Sequence, residues 1–532
     1  MSLSFLLAVS LICALFYYVC PSRFRWFFLL LSSIAIYAHA GWQGIPFLLL
    51  TAGATWISAL AIDASRKRAK ADLARDKASL SKEQIRARKA EEQRRERFFF
   101  LVSLFVSFGL LALLKYSDSV LTLFGRDGLG LVLPLGISFY TFQSVGYLFD
   151  VYRGSIPAEK NPLRYLLFVS FFPQLIQGPI ARYDKLAPQL QKAFVFEPKE
   201  EQSDTGGVEK ALIAIERGLL LIAWGFFKKK VLADRAAPFV NTVFGDQNAY
   251  GGAVIAVAVL LYSLQQYCDF SGGIDMVAGI AELFGIHMAE NFRRPYFASS
   301  LADFWRRWHI SLGSWMRDYV FYPFAVSRPV TALSRFLKKK KRAQLSRTLP
   351  AALGNILVFL LVGIWHGATA NYVLWGLYNG IILAISALLE AKYKNWNEAH
   401  DAFSKSKIFH VIRILRTFLI VNIGWFFDRA ESGTDAFRML AKALNPFAWG
   451  RIIPEVFLHI GLQASDFTIL AIGTSILFAV SLLSERGKDV RGKMLSLRLP
   501  IRWALLIAFL YFVLATFVGI GAGSTGFMYA VF

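Results

Sequence analysis

The sequence predicts an all-α polytopic membrane protein, and three observations lead there. Of its 532 residues 56% are hydrophobic, and only 18% are charged. Many apolar runs reach or approach the roughly 20 residues that a helix needs to cross a bilayer. The basic residues fall in short blocks between those runs, as the positive-inside rule requires of cytoplasmic loops. A single soluble domain would have to bury every run in one core, and would show far more alternating polar faces.

Taken in order, the runs are 3–19, 26–40, 44–60, 98–114, 352–366, 372–389, 467–484 and 502–520, with weaker candidates at 129–150, 162–180, 210–227, 253–267 and 410–427. The expected total is about ten to thirteen spans. The first run has no basic residue before MSLSFLLAVSLICALFYYV, while Arg23 and Arg25 follow it. That order predicts a retained span with an outside N-terminus, not a signal peptide. Cys13, Cys20 and Cys268 have neither disulfide-framework nor zinc spacing, and no metal site is expected.

The formal net charge of +23 raises a nucleic-acid reading, which its distribution opposes. The longest basic stretch, residues 66–97, lies between two apolar runs and is expected to be a cytoplasmic loop, open to being a helix that lies near the membrane or projects into the cytosol. FFKKK at 226–230, LKKKKRAQLSR at 337–347 and RGKDVRGK at 486–493 are similar blocks, suited to anionic lipid headgroups. Lys228 to Lys230 are therefore expected to mark the cytoplasmic boundary. The polar stretches 196–208 and 395–407 are expected to be loops inside one integral membrane domain, 1–532.

Residues 161–193, with Pro173, Pro179 and Pro188, and residues 265–325 are expected to be broken. Irregular backbone at membrane depth is tolerated only where it is buried in protein or lines a wet cavity. The two stretches are thus expected to line one.

Seven histidines occur: His39, His287, His309, His366, His400, His410 and His459. His366 lies in GIWHG, inside a strongly apolar run. A charged ring would be costly there, so a neutral, hydrogen-bonded imidazole is expected. Gly363 and Gly367 permit close backbone approach, and Trp365 is placed to wall a pocket. A core histidine bonded to a carbonyl is the competing reading. His309 lies in DFWRRWHISLGSWMRDYV, residues 303–320. Positions 305, 308, 312, 315, 316 and 319 trace an aromatic helical face, and His309 sits one residue off it. Arg306, Arg307 and Arg317 are free to pair with headgroups, with Asp303 and Asp318, or with an anionic substrate. An interfacial aromatic belt explains the tryptophans but not the histidine.

Neither HExxH, GxSxG, GKS/T nor GxGxxG occurs in a suitable context. Two imidazoles in a membrane cavity suit acid–base chemistry, one taking a proton from a hydroxyl as it attacks an activated acyl carbonyl. A thioester fits, because thiolate leaves readily.

Five stretches carry a resemblance: LPLGISFYTFQSVGYLFDVYRG (133–154), FFPQLIQGPIARY (171–183), GFFKKKVLADR (225–235), the stretch 267–324 from YCDFSGGIDM to VFYPF, and GIWHGATANYVLWGLYNG (363–380). In this order, across about 130–385, the chain resembles the membrane-bound O-acyltransferase family. It is most similar to the bacterial branch that holds the alginate O-acetyltransferase membrane subunit and the teichoic-acid D-alanyl transfer protein. The resemblance implies a ring of helices around a central funnel or tunnel, with His366 as catalytic base and His309 assisting. It implies no tightly bound cofactor. The donor would be cytosolic acetyl-CoA, or an acyl or D-alanyl carrier protein. The acceptor would be a cell-surface or extracellular polysaccharide or wall polymer, reached with a surface-anchored hydrolase-like partner. The location would be the bacterial inner membrane. The 267–276 and 305–324 segments favour the acetylating members; D-alanyl transfer to teichoic acid is the enzymatic alternative, and a transporter the non-enzymatic one. The tail GSTGFMYAVF resembles a departed form of the aromatic-rich ending seen in some relatives.

Further candidates for a cavity or substrate role are Asp269, Asp275, Asn291, Gln177, Arg182, Trp305 and Trp365. Asp269 and Asp275 either orient a histidine or cap a helix. Asn291 either bonds substrate or caps the break before Pro295.

Overall fold

The computed structural model describes residues 3–76, 80–191, 207–449 and 462–517. These residues form helices and connecting turns, with no strand among them. They fall into two compact units. The described part of the first is 3–76, 80–191, 207–219 and 277–289, and that of the second is 220–276, 290–449 and 462–517.

In the first unit the chain forms α1 (Leu3–Val19), α2 (Arg25–Gly41), α3 (Ile45–Arg75), α4 (Lys82–Leu123) and α5 (Ile137–Arg153). It then breaks into α6 (Pro162–Ser170), α7 (Phe172–Gln177) and α8 (Tyr183–Gln191). The basic stretch 66–97 is mostly helical, as one of the two readings allowed. It is the end of α3 and the start of α4, which opens on a capping box between Ser81 and Gln84. Phe100, Ser103, Ser107, Leu111 and Leu114 make one buried stripe along α4 at helical spacing. Arg66 ties the base of this hairpin to α5. It pairs with Glu96 at 2.7 Å and donates to the Val151 and Tyr152 carbonyls in the last turn of α5 at 3.0 and 2.8 Å.

The break expected at 161–193 is present. Pro162 and Pro173 sit in the first turns of α6 and α7, where a missing N–H costs nothing, and extended Phe171 separates the two helices. Gly136 enters α5 with φ +68°, and a Cβ there would run into the Leu175 carbonyl oxygen. The weak spans predicted at 129–150 and 162–180 are accordingly a 17-residue helix and two pieces of 9 and 6 residues.

The rest of the chain forms α9 (Gly207–Phe226), α10 (Asp234–Gly245), α11 (Gly252–Glu282), α12 (Leu301–Arg307), α13 (Ile310–Met316), α14 (Tyr322–Ala325) and α15 (Arg328–Lys339). There follow α16 (Ala343–His366), α17 (Ala370–Leu388), α18 (Glu390–Ala399), α19 (Asp401–Ser404), α20 (Lys407–Arg429), α21 (Gly433–Leu444) and α22 (Ala464–Glu485). A helix at Leu499–Phe517 ends the described chain. Two π-helical segments interrupt this order, at Phe227–Ala233 and Arg317–Phe321. Such irregularities recur at functional sites.

Two expectations need correction. The break expected from 265 onward begins only after Glu282, because α11 runs unbroken through Ser271-Gly272-Gly273. The glycine serves close packing instead: a Cβ on Gly272 would lie 2.8 Å from the Gly225 oxygen and 3.1 Å from the Lys229 nitrogen. Residues 395–407 are mostly the short helices α18 and α19, not an open loop. The 196–208 loop and the tail GSTGFMYAVF lie largely or wholly outside the described residues.

Eight helical stretches among the described residues are long and apolar enough to cross a membrane, and Phe5–Val19 is a shorter apolar helix. One of the eight, Ser22–Arg75, has 54 residues and contains α2 and α3, joined through a short turn of 3₁₀ helix at Trp42–Gly44. Large apolar side chains such as Phe105, Leu415 and Ile507 are left exposed on these helices, as lipid contact requires. The chain is an all-α, multi-pass membrane protein.

Candidate active site

His366 ends α16, and a three-residue turn leads into α17. The hairpin is tight because glycine faces glycine. A Cβ on Gly363 would meet the Tyr372 oxygen and lie 3.3 Å from the Gly376 Cα, and a Cβ on Gly376 would meet the Phe359 oxygen. Close approach brings α17 aromatic rings onto His366. The imidazole is buried, stacks on Tyr372 at 5.9 Å between centroids, and takes Trp365 and Trp375 edge-on at 4.9 and 5.1 Å. Trp305 meets Trp375 at 5.5 Å and donates its indole N–H to Asn379 at 3.2 Å. It supports the wall of this aromatic cage one ring back.

His309 lies between α12 and α13 with φ +45° and ψ 53°. A side chain other than glycine pays roughly 1–2 kcal/mol there. The surrounding backbone holds the strained position: Ile310 N donates to the Asn291 oxygen at 3.0 Å, and Arg293 N to the Arg307 oxygen at 2.8 Å. Arg294, itself at φ +45°, and Arg307 both bind the Glu485 carboxylate, at 2.6 and 2.9 Å. These ion pairs anchor the segment to the end of α22. The imidazole is buried against Phe270 at 4.8 Å and Trp365 at 6.5 Å. Burial among these apolar rings favours the neutral form of the imidazole. Trp365 thus touches both histidines, and the second unit brings them to one place.

Asn291 is also brought there. Its Oδ1 faces His309 Nδ1 at 3.3 Å and accepts from Ser311 N at 2.9 Å and Ser311 Oγ at 2.8 Å. Asp269 and Asp275 take a different part. Asp269 pairs with Lys229, and Asp275 with Lys228 at 2.8 Å. Lys229 also binds Asp234 at 2.9 Å, and Lys230 binds the same carboxylate at 2.7 Å. All three lysines are buried, so they face carboxylates inside the protein and not lipid headgroups. Each lysine has a carboxylate, which is what tolerable burial of charge demands. The sequence signal was available: lysine and aspartate four apart in KVLAD, with two more aspartates in one apolar helix.

Gln177 and Arg182 belong to the first unit. Gln177 is fully buried, and neither its amide oxygen nor its nitrogen has a hydrogen-bond partner. Arg182 is partly exposed, and its carbonyl accepts from the backbone of Lys185 and Leu186 in the first turn of α8. Sequence reasoning missed Ser311, Phe270, Tyr372 and Trp375. The last two are three residues apart and six and nine beyond a suspected histidine. That spacing puts them on one helical face once a tight turn is assumed.

Two buried imidazoles flanking one indole, in a polytopic helical protein, make a site suited to proton transfer out of bulk water. A family model described as MBOAT, membrane-bound O-acyltransferase family, matches residues 155–421. The chain is 32% identical to the probable alginate O-acetylase AlgI of Pseudomonas aeruginosa, over 87% of this chain and 76% of that one. It is 32% identical to the peptidoglycan O-acetyltransferase of Helicobacter pylori, over 70% and 68%. It is 30% identical to the teichoic acid D-alanyltransferase of Bacillus subtilis, over 56% and 68%. The chain belongs to the membrane-bound O-acyltransferase family.

Proposed function

We propose that the protein moves an acetyl group from a cytosolic thioester, acetyl-CoA, to hydroxyl groups of a cell-surface or extracellular polysaccharide. The observation that carries this reading is the joint burial of His309 and His366 around Trp365. His366 is the general base. It takes the hydroxyl proton as the oxygen bonds to the thioester carbonyl carbon. The C–S bond then breaks, and the departing thiolate receives the proton from the imidazolium. His309 assists by holding a reacting group. Water exclusion by the aromatic cage protects the thioester from hydrolysis.

The acceptor class follows the names of the relatives, which modify alginate, peptidoglycan and teichoic acid. A surface-anchored hydrolase-like protein is the expected partner in delivering acetyl to polymer, and the inner membrane of a bacterium is the expected location. D-alanyl transfer from a carrier protein is the competing reading, carried by the Bacillus relative. Acetyl transfer is favoured because the acetylating relatives align over more of the chain.

Reconstitution in vesicles with labelled acetyl-CoA, polymer and the candidate surface partner tests both. Label should reach polymer, and His366→Ala should abolish transfer. Transfer supported only by an aminoacylated carrier protein would establish the competing reading.

A further inference from the structure

We propose that Asn291 is a positioning residue that locks His309 in one tautomer, so that His309 serves as a hydrogen-bond acceptor for a neighbouring hydroxyl of the acceptor, leaving the attacking hydroxyl to His366, and not as a donor to the thioester oxygen. The proposal rests on the acyl-transfer reading for its chemistry, but its structural half stands on geometry alone.

The argument begins with a group that has no choice. The Ser311 backbone N–H can only donate, and it lies 2.9 Å from one terminal atom of the Asn291 amide. That atom must therefore be the oxygen, whichever way an amide is otherwise assigned. The same oxygen lies 3.3 Å from His309 Nδ1. Two lone pairs cannot face each other at a buried contact without repulsion, so Nδ1 carries the proton. A neutral imidazole has only one, and the lone pair is left on Nε2. Asn291 is 1% exposed, so water does not compete for this oxygen.

The backbone reinforces the assignment. Asn291 also accepts from Ile310 N through its main-chain oxygen, so one residue holds the peptide after His309 as well as the ring. The left-handed φ of His309 is sustained by that clasp. From α11 the ring meets Phe270, and from α16 it meets Trp365. The titratable groups adjoining these contacts in sequence are Cys268, Asp269 and His366, and Asp269 is engaged by Lys229. Arg307, two residues before His309, is bound to Glu485 and Asp303.

The consequence is a division of labour. A neutral ring with its lone pair on Nε2 accepts a hydrogen bond from a hydroxyl. It cannot stabilise an oxyanion without first being protonated.

Two measurements test this, using the full chain in nanodiscs. The first needs no variant at Asn291. Imidazole nitrogen-15 spectra of histidine-labelled protein, minus the spectrum of His309→Gln, should show the Nδ1–H, Nε2-unprotonated form. An Nε2–H tautomer for His309 overturns the proposal whatever the activity. The second compares Asn291→Leu, which keeps volume and loses the acceptor, with Asn291→Asp, which keeps an oxygen for both donors. In monodisperse protein the leucine variant should lose kcat by about tenfold or more with KM little changed. The aspartate variant should recover most of that rate, with the acid limb of its pH profile displaced to higher pH by the neighbouring carboxylate. Equal loss in both folded variants, with no displacement of the limb, overturns the proposal. If the leucine variant does not fold, the tautomer and the aspartate pH profile decide. A wild-type protein that shows the Nδ1–H form yet transfers no acyl group would sink the enzymatic reading while leaving the positioning intact.

Discussion

Gly363 of α16 and Gly376 of α17 face each other so closely that a Cβ on either would lie 3.3 Å from the other's Cα. Each Cβ would also run into a carbonyl oxygen of the opposite helix, Tyr372 for Gly363 and Phe359 for Gly376. Backbone atoms cannot rotate away as a side chain can. Gly363→Ala should therefore push the hairpin apart and cost about 1–3 kcal/mol. It should also lower activity, because Tyr372 and Trp375 reach His366 only across this contact. Thermal stability and transfer rate, measured on the same detergent preparation, check both effects. An alanine variant of unchanged Tm and rate would show that the hairpin has slack.

The buried lysines make a second prediction. Lys229 stands between Asp269 and Asp234, all three nearly inaccessible. Lys229→Met strips Asp269 of its ion-pair lysine, and such losses cost about 3–5 kcal/mol. Lys229→Met combined with Asp269→Asn should recover much of that, since Asp234 keeps Lys230. Unfolding temperatures of the single and double variants give the coupling. Equal instability in both would mean that the packing of the π-helical segment, not charge balance, sets the cost.

The third prediction concerns sidedness. The basic ends of α3 and α4 are expected in the cytosol, on their density of Lys and Arg between two apolar helices. Arg86 is exposed on α4, two residues past the capping-box Gln84. Arg86→Cys, in a background with Cys13, Cys20 and Cys268 replaced by serine, should resist an impermeant thiol reagent in intact cells and react in inverted vesicles. Strong labelling of intact cells would reverse the sidedness and remove the basis for a cytosolic donor.

These tests draw unevenly on what the sequence made legible. Apolar runs and basic blocks were enough for the membrane class, because the bilayer imposes length and composition on any helix that crosses it. The breaks at Pro173 and Pro179 were legible for a local reason, since proline restricts its own helix, whereas Pro188 lies inside α8. The continuity of α11 was not legible. Gly272 there answers to a neighbouring helix, and sequence gives the glycine without the neighbour. The same holds for Lys228, Lys229 and Lys230. A basic triplet reads as a surface block until Asp234, Asp269 and Asp275 are seen around it. His366 and His309 stood out by residue type in an apolar context. Their convergence on Trp365 is a tertiary fact, and so is the service of Asn291 to His309, 18 residues away.

The last prediction concerns the two histidines as a pair. If His366 is the general base, His366→Ala should abolish transfer while the protein still inserts and folds. Loss of a general base is typically worth about 10²–10⁴-fold in rate. His366→Gln is the sharper variant. Glutamine keeps a polar group and approximate volume within the cage of Trp365, Tyr372 and Trp375, but cannot take up the proton. A histidine needed only for packing would tolerate it. His309→Gln should impair transfer less, because an acceptor amide oxygen replaces part of what Nε2 offers. The two losses should not add, since residues serving one proton-transfer step act as a unit. Rates for the single and double glutamine variants, each confirmed monodisperse, make the comparison. Near-normal transfer by folded His366→Gln would refute its role as base. Fully additive losses would mean that the two rings serve separate steps, with Trp365 between them as a wall and not a bridge.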